Sequence, residues 1–221
     1  MRSLQRSAGI AAISEACIYI LAFIYFGAYW SYPVDGSEID KMNYLAENQI
    51  AFSMISFLMY IVFGVLLAVL VTGLHIRLKC SQNSLLALAS VFGVIWAGLV
   101  ISSGMLSNIG LMHAIDQLGE SPELAFDLWI IVSVLTESLG GGNELLGGLW
   151  VLLFSVAARQ ERWLPRSLNY YGCFVGLAGI ATVYPHELAT DIFGVSQIVW
   201  FMWLGVCLLS EKHAVLAAEV R

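Results

Sequence analysis

Five stretches of this chain, at residues 8–30, 50–74, 85–109, 168–184 and 193–209, carry at most one charged side chain each. A helix needs about 20 mostly apolar residues to cross a hydrocarbon core roughly 30 Å thick, because it rises about 1.5 Å per residue. Each stretch is therefore read as a transmembrane helix, the one at 168–184 being short for the task. Strands of this length would have to alternate apolar and polar residues, and these stretches do not. A sixth apolar region, 124–158, is too long for one straight span and is interrupted by Gly140, Gly141, Gly142, Asn143 and Glu144. It predicts a crossing at 140–158, broken by glycine near its start, with an extra interfacial helix near 123–139.

Composition agrees. Of the 221 residues, 59% are hydrophobic and only 12% charged, against roughly 45–50% and about 25% in a soluble domain. So few charges could not cover a water-facing surface of this size. The expected architecture is all-α: a polytopic six-transmembrane-helix bundle forming a single domain over 1–221. A net charge of -6 argues against a nucleic-acid partner. Arg2 and Arg6 precede the first span as they would in a signal peptide. That run is too long, however, contains Glu15 and ends without an A-x-A-like site, so the expectation is a retained helix.

The basic residues orient the bundle. Nine of the ten Lys and Arg fall in alternate connections: Arg2 and Arg6; Arg77 and Lys79; Arg159, Arg162 and Arg166; Lys212 and Arg221. Only Lys41 lies in the other set, which holds Asp35, Glu38, Asp40, Glu47, Asp116, Glu120, Glu123, Asp127, Glu187 and Asp191. Short loops rich in Lys and Arg stay cytoplasmic, so both termini are expected inside, in a cell inner membrane. The alternation closes only if 124–158 crosses once. Tyr29, Trp30, Tyr32 and Tyr184 are expected as aromatic anchors at the outer boundary, with Trp163, Tyr170 and Tyr171 at the inner one.

Local signals add helix ends. Ser37 followed by Asp40 resembles a capping box, and Ser121-Pro122-Glu123 supplies a cap, a proline at the first helical position and an early acid. Pro165 separates the fourth and fifth spans. Gly172-x-x-x-Gly176, with Gly147, Gly148 and Gly179, permits close helix packing within the bundle.

An ionisable residue at membrane depth is a functional candidate by default. Glu15, Glu137 and Glu144 qualify, and no Lys or Arg lies within a span to neutralise them. Each must be protonated, hydrogen-bonded, wet, or holding a cation. Glu144 leads as a ligand or proton site, with Asn143, Asn108 and Gln197 expected at similar depth. If the helix runs through the glycines, Glu137 shares its face; if they break it, Asn143 caps a new helix and Glu144 complements its dipole. Glu15 is expected to hydrogen-bond Ser14, Thr72 or Ser90.

Catalytic and metal signals are weak. His113 and His186, near Met105, Met112, Asp116, Glu187 and Asp191, are weak metal candidates without ligand spacing. No metal or other cofactor is implied, and no catalytic constellation is recognisable. Cys17, Cys80, Cys173 and Cys207 show no C-x-x-C pattern and read as reduced, mostly buried, small apolar side chains.

Several of these features occur together in a known order. Arg6-Ser7-Ala8-Gly9 opens the first span, Asn43 precedes the second, and Leu149-Trp150-Val151-Leu152-Leu153 leads into a basic turn. Leu164-Pro165-Arg166-x-Leu168 and a span with Gly176 and Gly179 follow. In this the chain resembles a bacterial family of small multi-pass membrane proteins, the family of the domain of unknown function 4386. Asn169-Tyr170 departs from the small residue expected after the turn, and the Gly140–Glu144 run is more pronounced than the family pattern. The resemblance implies the fold and brings no catalytic residues.

The functional expectation is a non-enzymatic inner-membrane bundle whose partners are membrane lipids, a small amphiphilic ligand or another membrane subunit. A proton-linked small-molecule transporter using Glu144 is one alternative. A membrane enzyme acting on a lipid or quinone at the outer face, with His113 or His186 beside Glu144, is a second.

Overall fold

The computed structural model describes residues 2–78, 83–141, 144–184 and 187–210, which form helices and the turns between them, with no strand among the described residues. Helix α1 (Arg2–Ile24) continues through a π-helical turn at Tyr25–Tyr29. Helices α2 (Glu38–Glu47) and α3 (Gln49–Ser56) lead through a second π-helical stretch, Phe57–Val62, into α4 (Phe63–Leu78). Then come α5 (Ser84–Gln117), α6 (Pro122–Thr136), α7 (Leu145–Gln160), α8 (Arg166–Ala181) and α9 (Glu187–Leu209). Five stretches are long and apolar enough to cross a membrane: Ser3–Tyr29, Gln49–Arg77, Ser84–Gln117, Pro122–Gln160 and Leu188–Leu209. Helix α8, with 16 residues, spans roughly 24 Å at about 1.5 Å per residue and falls short.

Neighbouring helices run antiparallel, and the side chains that meet give the register. Tyr19 packs edge-on to Phe63, and Gly73 lies under Ala8, which sets α1 against α4. His75 meets Ser90 and Gly104 meets Tyr60, setting α4 and its π-helical entry against α5. Along α5, Gly110 faces Val132, Ser103 donates to the Thr136 carbonyl, Trp96 faces Gly147 and Gly93 faces Trp150. One continuous path, α6 then α7, thus descends the whole of α5. Gly176 rests on Leu152, Gly179 on Phe193, and Gly205 on Ile13, so α8, α9 and α1 follow in turn and close a ring. The ring has no open lumen. Trp96, Trp150 and Trp200 are 1% exposed and fill it with Phe63, Phe154 and Phe201, ring centroids lying 5.8 Å apart for Trp96–Trp150 and 5.6 Å for Trp150–Trp200.

One expected boundary changes. The third apolar helix does not end near 109 but continues to Gln117, because Gly110, Leu111 and Ala114 are buried against α2 and α6. The helix expected near 123–139 is α6, which packs alongside α5 with Ala125 and Val132 as buried contacts. Trp30 and Tyr32 join this second core of Met42, Leu45, Leu111, Ala114 and Ala125, while Tyr29 and Tyr184 stay exposed. At the other end, Arg77 lies over Trp163 and Arg159 over Tyr170.

The helix-start signals are present. Ser37 and Asp40 form a reciprocal capping box on α2, and the Ser37 hydroxyl donating to Asp40 (2.6 Å) holds that carboxyl below its ordinary range. Ser121 caps α6, with Pro122 at its first position. Of the cysteines, Cys207 is buried and Cys173 half-buried, but Cys17 points outward from α1; Cys80 lies outside the described residues.

The tightest approach joins α7 to α8. A Cβ on Gly148 would stand 2.5 Å from the Ile180 nitrogen and 2.7 Å from the Gly176 oxygen, both backbone atoms. Neither can swing aside, so a methyl group there must part the helices. Overpacking of this kind costs about 1–3 kcal/mol. Gly98 has nothing within 4 Å. In thermal unfolding of the detergent-purified protein, Gly148→Ala is expected to lower the midpoint by several degrees, with Gly98→Ala unchanged or higher. Equal behaviour of the two variants would refute the close approach.

Candidate functional site

The site begins with a backbone break. After α6, residues Glu137–Gly141 form a π-helical turn in which Gly140 adopts φ 138°, a conformation that a Cβ would strain. Helix α7 restarts with Glu144 at its N-cap, the Glu144 carbonyl taking the first bond from Gly148 N–H (2.8 Å). The Glu144 N–H, left without a helical partner, donates to Thr182 Oγ1 (3.0 Å), and that hydroxyl donates to the Gly179 carbonyl (2.7 Å). The start of α7 is thereby fastened to the end of α8.

The break turns the Glu144 side chain toward the bundle interior. Trp96 Nε1 on α5 donates to Glu144 Oε2 (2.9 Å). Glu144 also lines a cavity of about 60 Å³ together with Ile18, Tyr19, Ala22, Met59, Tyr60, Phe63, Val100 and Gly140. Glu144 is half-buried because it forms part of this wall. The lining is apolar apart from one carboxyl and two phenols. Tyr19 hydroxyl donates to Gln197 Oε1 (3.1 Å) on α9. Both Glu144 and Glu15 lie near enough to the Tyr19 hydroxyl to act on it electrostatically, and Glu144 and Glu137 act likewise on Tyr60.

Glu15 differs from expectation. It is fully buried, and neither carboxyl oxygen has a hydrogen-bond partner among the described residues. Ser90 is instead engaged by His75 (2.8 Å), and Thr72 faces outward. A carboxylate in such surroundings is far costlier than the neutral acid. Gln197 Nε2 is likewise buried without a partner.

The remaining candidates divide. Gln197 reaches the cavity through Tyr19. Glu137 is exposed, since the turn at Gly140 removes it from the face of Glu144. Asn108 sits apart from the cavity lining, its Nδ2 at 3.5 Å from the Ser53 carbonyl. Asn143 and His186 lie outside the described residues. His113 is exposed on α5, 17 residues beyond Trp96 and so roughly 25 Å along the helix at about 1.5 Å per residue. No group of three or more His, Cys, Asp or Glu able to hold a metal ion occurs among the described residues.

Trp96, Tyr19, Tyr60 and Thr182 were not singled out by the sequence reading. A signal existed: an indole or phenol in mid-span needs a partner for its polar hydrogen, and the acids are the scarce acceptors there. Chemically, the arrangement presents a fixed acceptor oxygen at the end of an apolar-walled space, suited to an ammonium, a hydroxyl or a few water molecules. No family model, curated protein or solved structure matches the chain.

The Trp96–Glu144 contact has a direct readout. In the nitrogen–proton correlation spectrum of indole-labelled protein, the peak lost in Trp96→Phe is expected to move in Glu144→Leu, while the other indole peaks stay close to their positions. A double-mutant cycle on stability should give a coupling of about 0.5–3 kcal/mol, the range for contacting residues. An unmoved peak with zero coupling would rule out the hydrogen bond.

Proposed function

We propose that the protein is an integral membrane protein of a bacterial inner membrane, with six crossings and cytoplasmic termini, whose bundle binds a small amphiphile without transforming it. The orientation is supported by charge. Arg6, Arg77, Arg159, Arg162 and Arg166 gather at one end of the alternating helices, and Glu38, Asp40, Asp116, Glu120 and Glu123 at the other. The fifth crossing is α8, whose shortness a locally thinned bilayer accommodates at modest cost. The fourth is the path from α6 through the Gly140 break into α7. Membership of the family of the domain of unknown function 4386 fits this layout and rests on the motifs that resemble it.

One observation carries the ligand reading: the Glu144 carboxyl, with Tyr19 and Tyr60, lines an otherwise apolar cavity. A space of about 60 Å³ is smaller than the roughly 150 Å³ cavity that takes up benzene, so it admits a headgroup and leaves a tail among the helices or lipid. The headgroup that satisfies a lone acidic acceptor is a cationic or hydroxyl donor. Dodecylamine is expected to raise the thermal midpoint of the purified protein, dodecanoate is not, and Glu144→Gln should weaken the amine effect at least tenfold. Equal effects of amine and acid, or an unchanged Glu144→Gln variant, would refute the reading.

A second reading, proton-linked transport, is favoured by Glu15, a buried carboxyl without a partner that shares Tyr19 with Glu144. It predicts that pH-driven amine uptake into proteoliposomes fails in both Glu15→Gln and Glu144→Gln. Uptake that is absent in the native protein, or indifferent to Glu15, would eliminate it.

A further inference from the structure

At the basic end, the turn between α7 and α8 encloses a pocket of about 350 Å³ lined by Arg159, Arg162, Leu164, Arg166, Asn169 and Tyr170. This lies within the size range of small-molecule sites, roughly 300–1,000 Å³. None of the three arginines forms an ion pair among the described residues, and Arg159 is held 5.4 Å over the Tyr170 ring. Helix α8 starts here with Pro165 at its N-cap and no side-chain cap, so its first amide donors are unpaired beside the guanidinium groups. Asn169 is 2% exposed, and its Nδ2 donates to the Leu164 carbonyl (3.3 Å), which ties the first turn of α8 to the preceding loop.

The donor set selects an anion with two acceptor edges, since guanidinium forks and helix-start amides both match phosphate oxygens. An anionic phosphate ester meets this demand. We propose that this pocket binds such an ester, its phosphate on Arg159, Arg162, Arg166 and the α8 amides. The site is separate from the Glu144 cavity and stands whether or not that cavity binds an amphiphile.

Phosphatidylglycerol and soluble sn-glycerol 3-phosphate offer the same chemistry. Native mass spectrometry of the full chain in mild detergent, with phosphatidylglycerol and phosphatidylcholine supplied equally, is expected to show at least tenfold preference for the former. The double variant Arg159→Gln/Arg166→Gln, with an unchanged helical circular-dichroism spectrum, should lose that preference, a single charge-assisted contact being worth roughly tenfold. Arg6→Gln, exposed at the same end on α1, should keep it. Displacement of the lipid by millimolar sn-glycerol 3-phosphate would identify the soluble ester as the source, and its retention would identify the lipid; either supports the site. Equal retention of both lipids by the native protein would overturn the proposal. So would loss of preference in Arg6→Gln as complete as in the double variant, which would make the effect one of general surface charge.

Discussion

A polar group buried among apolar helices has only the protein to satisfy it, and the bond from Trp96 to Glu144 meets that demand across the middle of this fold. Much else is arranged around it. Gly140 supplies the positive-φ turn that stops α6 and lets Glu144 head a new helix. Thr182 takes the backbone donor that the break leaves over. The glycines of α7 and α8 bring those helices within backbone contact, which puts Thr182 in reach. Trp96 also belongs to the aromatic cluster that fills the ring, so the same side chain seals the bundle and aims the carboxyl.

The break explains how an acid can face a cavity here without a basic neighbour. An unbroken helix would align residue 137 with 144 and extend one acidic stripe. The turn at Gly140 separates them, leaving Glu137 exposed and Glu144 inside. Tyr19 then links the cavity to Gln197 on α9 and to the neighbourhood of Glu15. Helices α1, α5, α7, α8 and α9 therefore converge on one polar centre within an apolar interior, while the arginine-lined pocket occupies the opposite, basic end.

Helical content, the apolar stretches and the caps at Ser37 and Ser121 were legible because each rests on local periodicity or on a residue and its near neighbours. The prominence of Glu144 was legible because a lone acid in an apolar run stands out. Its partners were not. Trp96 precedes it by 48 residues and Thr182 follows by 38, and no local rule pairs residues at such separations. The extension of α5 to Gln117 was missed for a similar reason: Gly110, Leu111 and Ala114 continue past the expected boundary because α2 and α6 cover them. For Glu15, polar residues expected at its depth suggested partners, but helix rotation decides contact, and it turns Thr72 outward and gives Ser90 to His75.

The central claim is that the Glu144 carboxyl is reachable through the cavity while Glu15 is sealed. Reaction with dicyclohexylcarbodiimide, an apolar reagent for protonated carboxyls, followed by peptide mapping measures both at once. The account predicts modification at Glu144, slowed by dodecylamine, and none at Glu15. Modification at Glu15 with Glu144 untouched would contradict it.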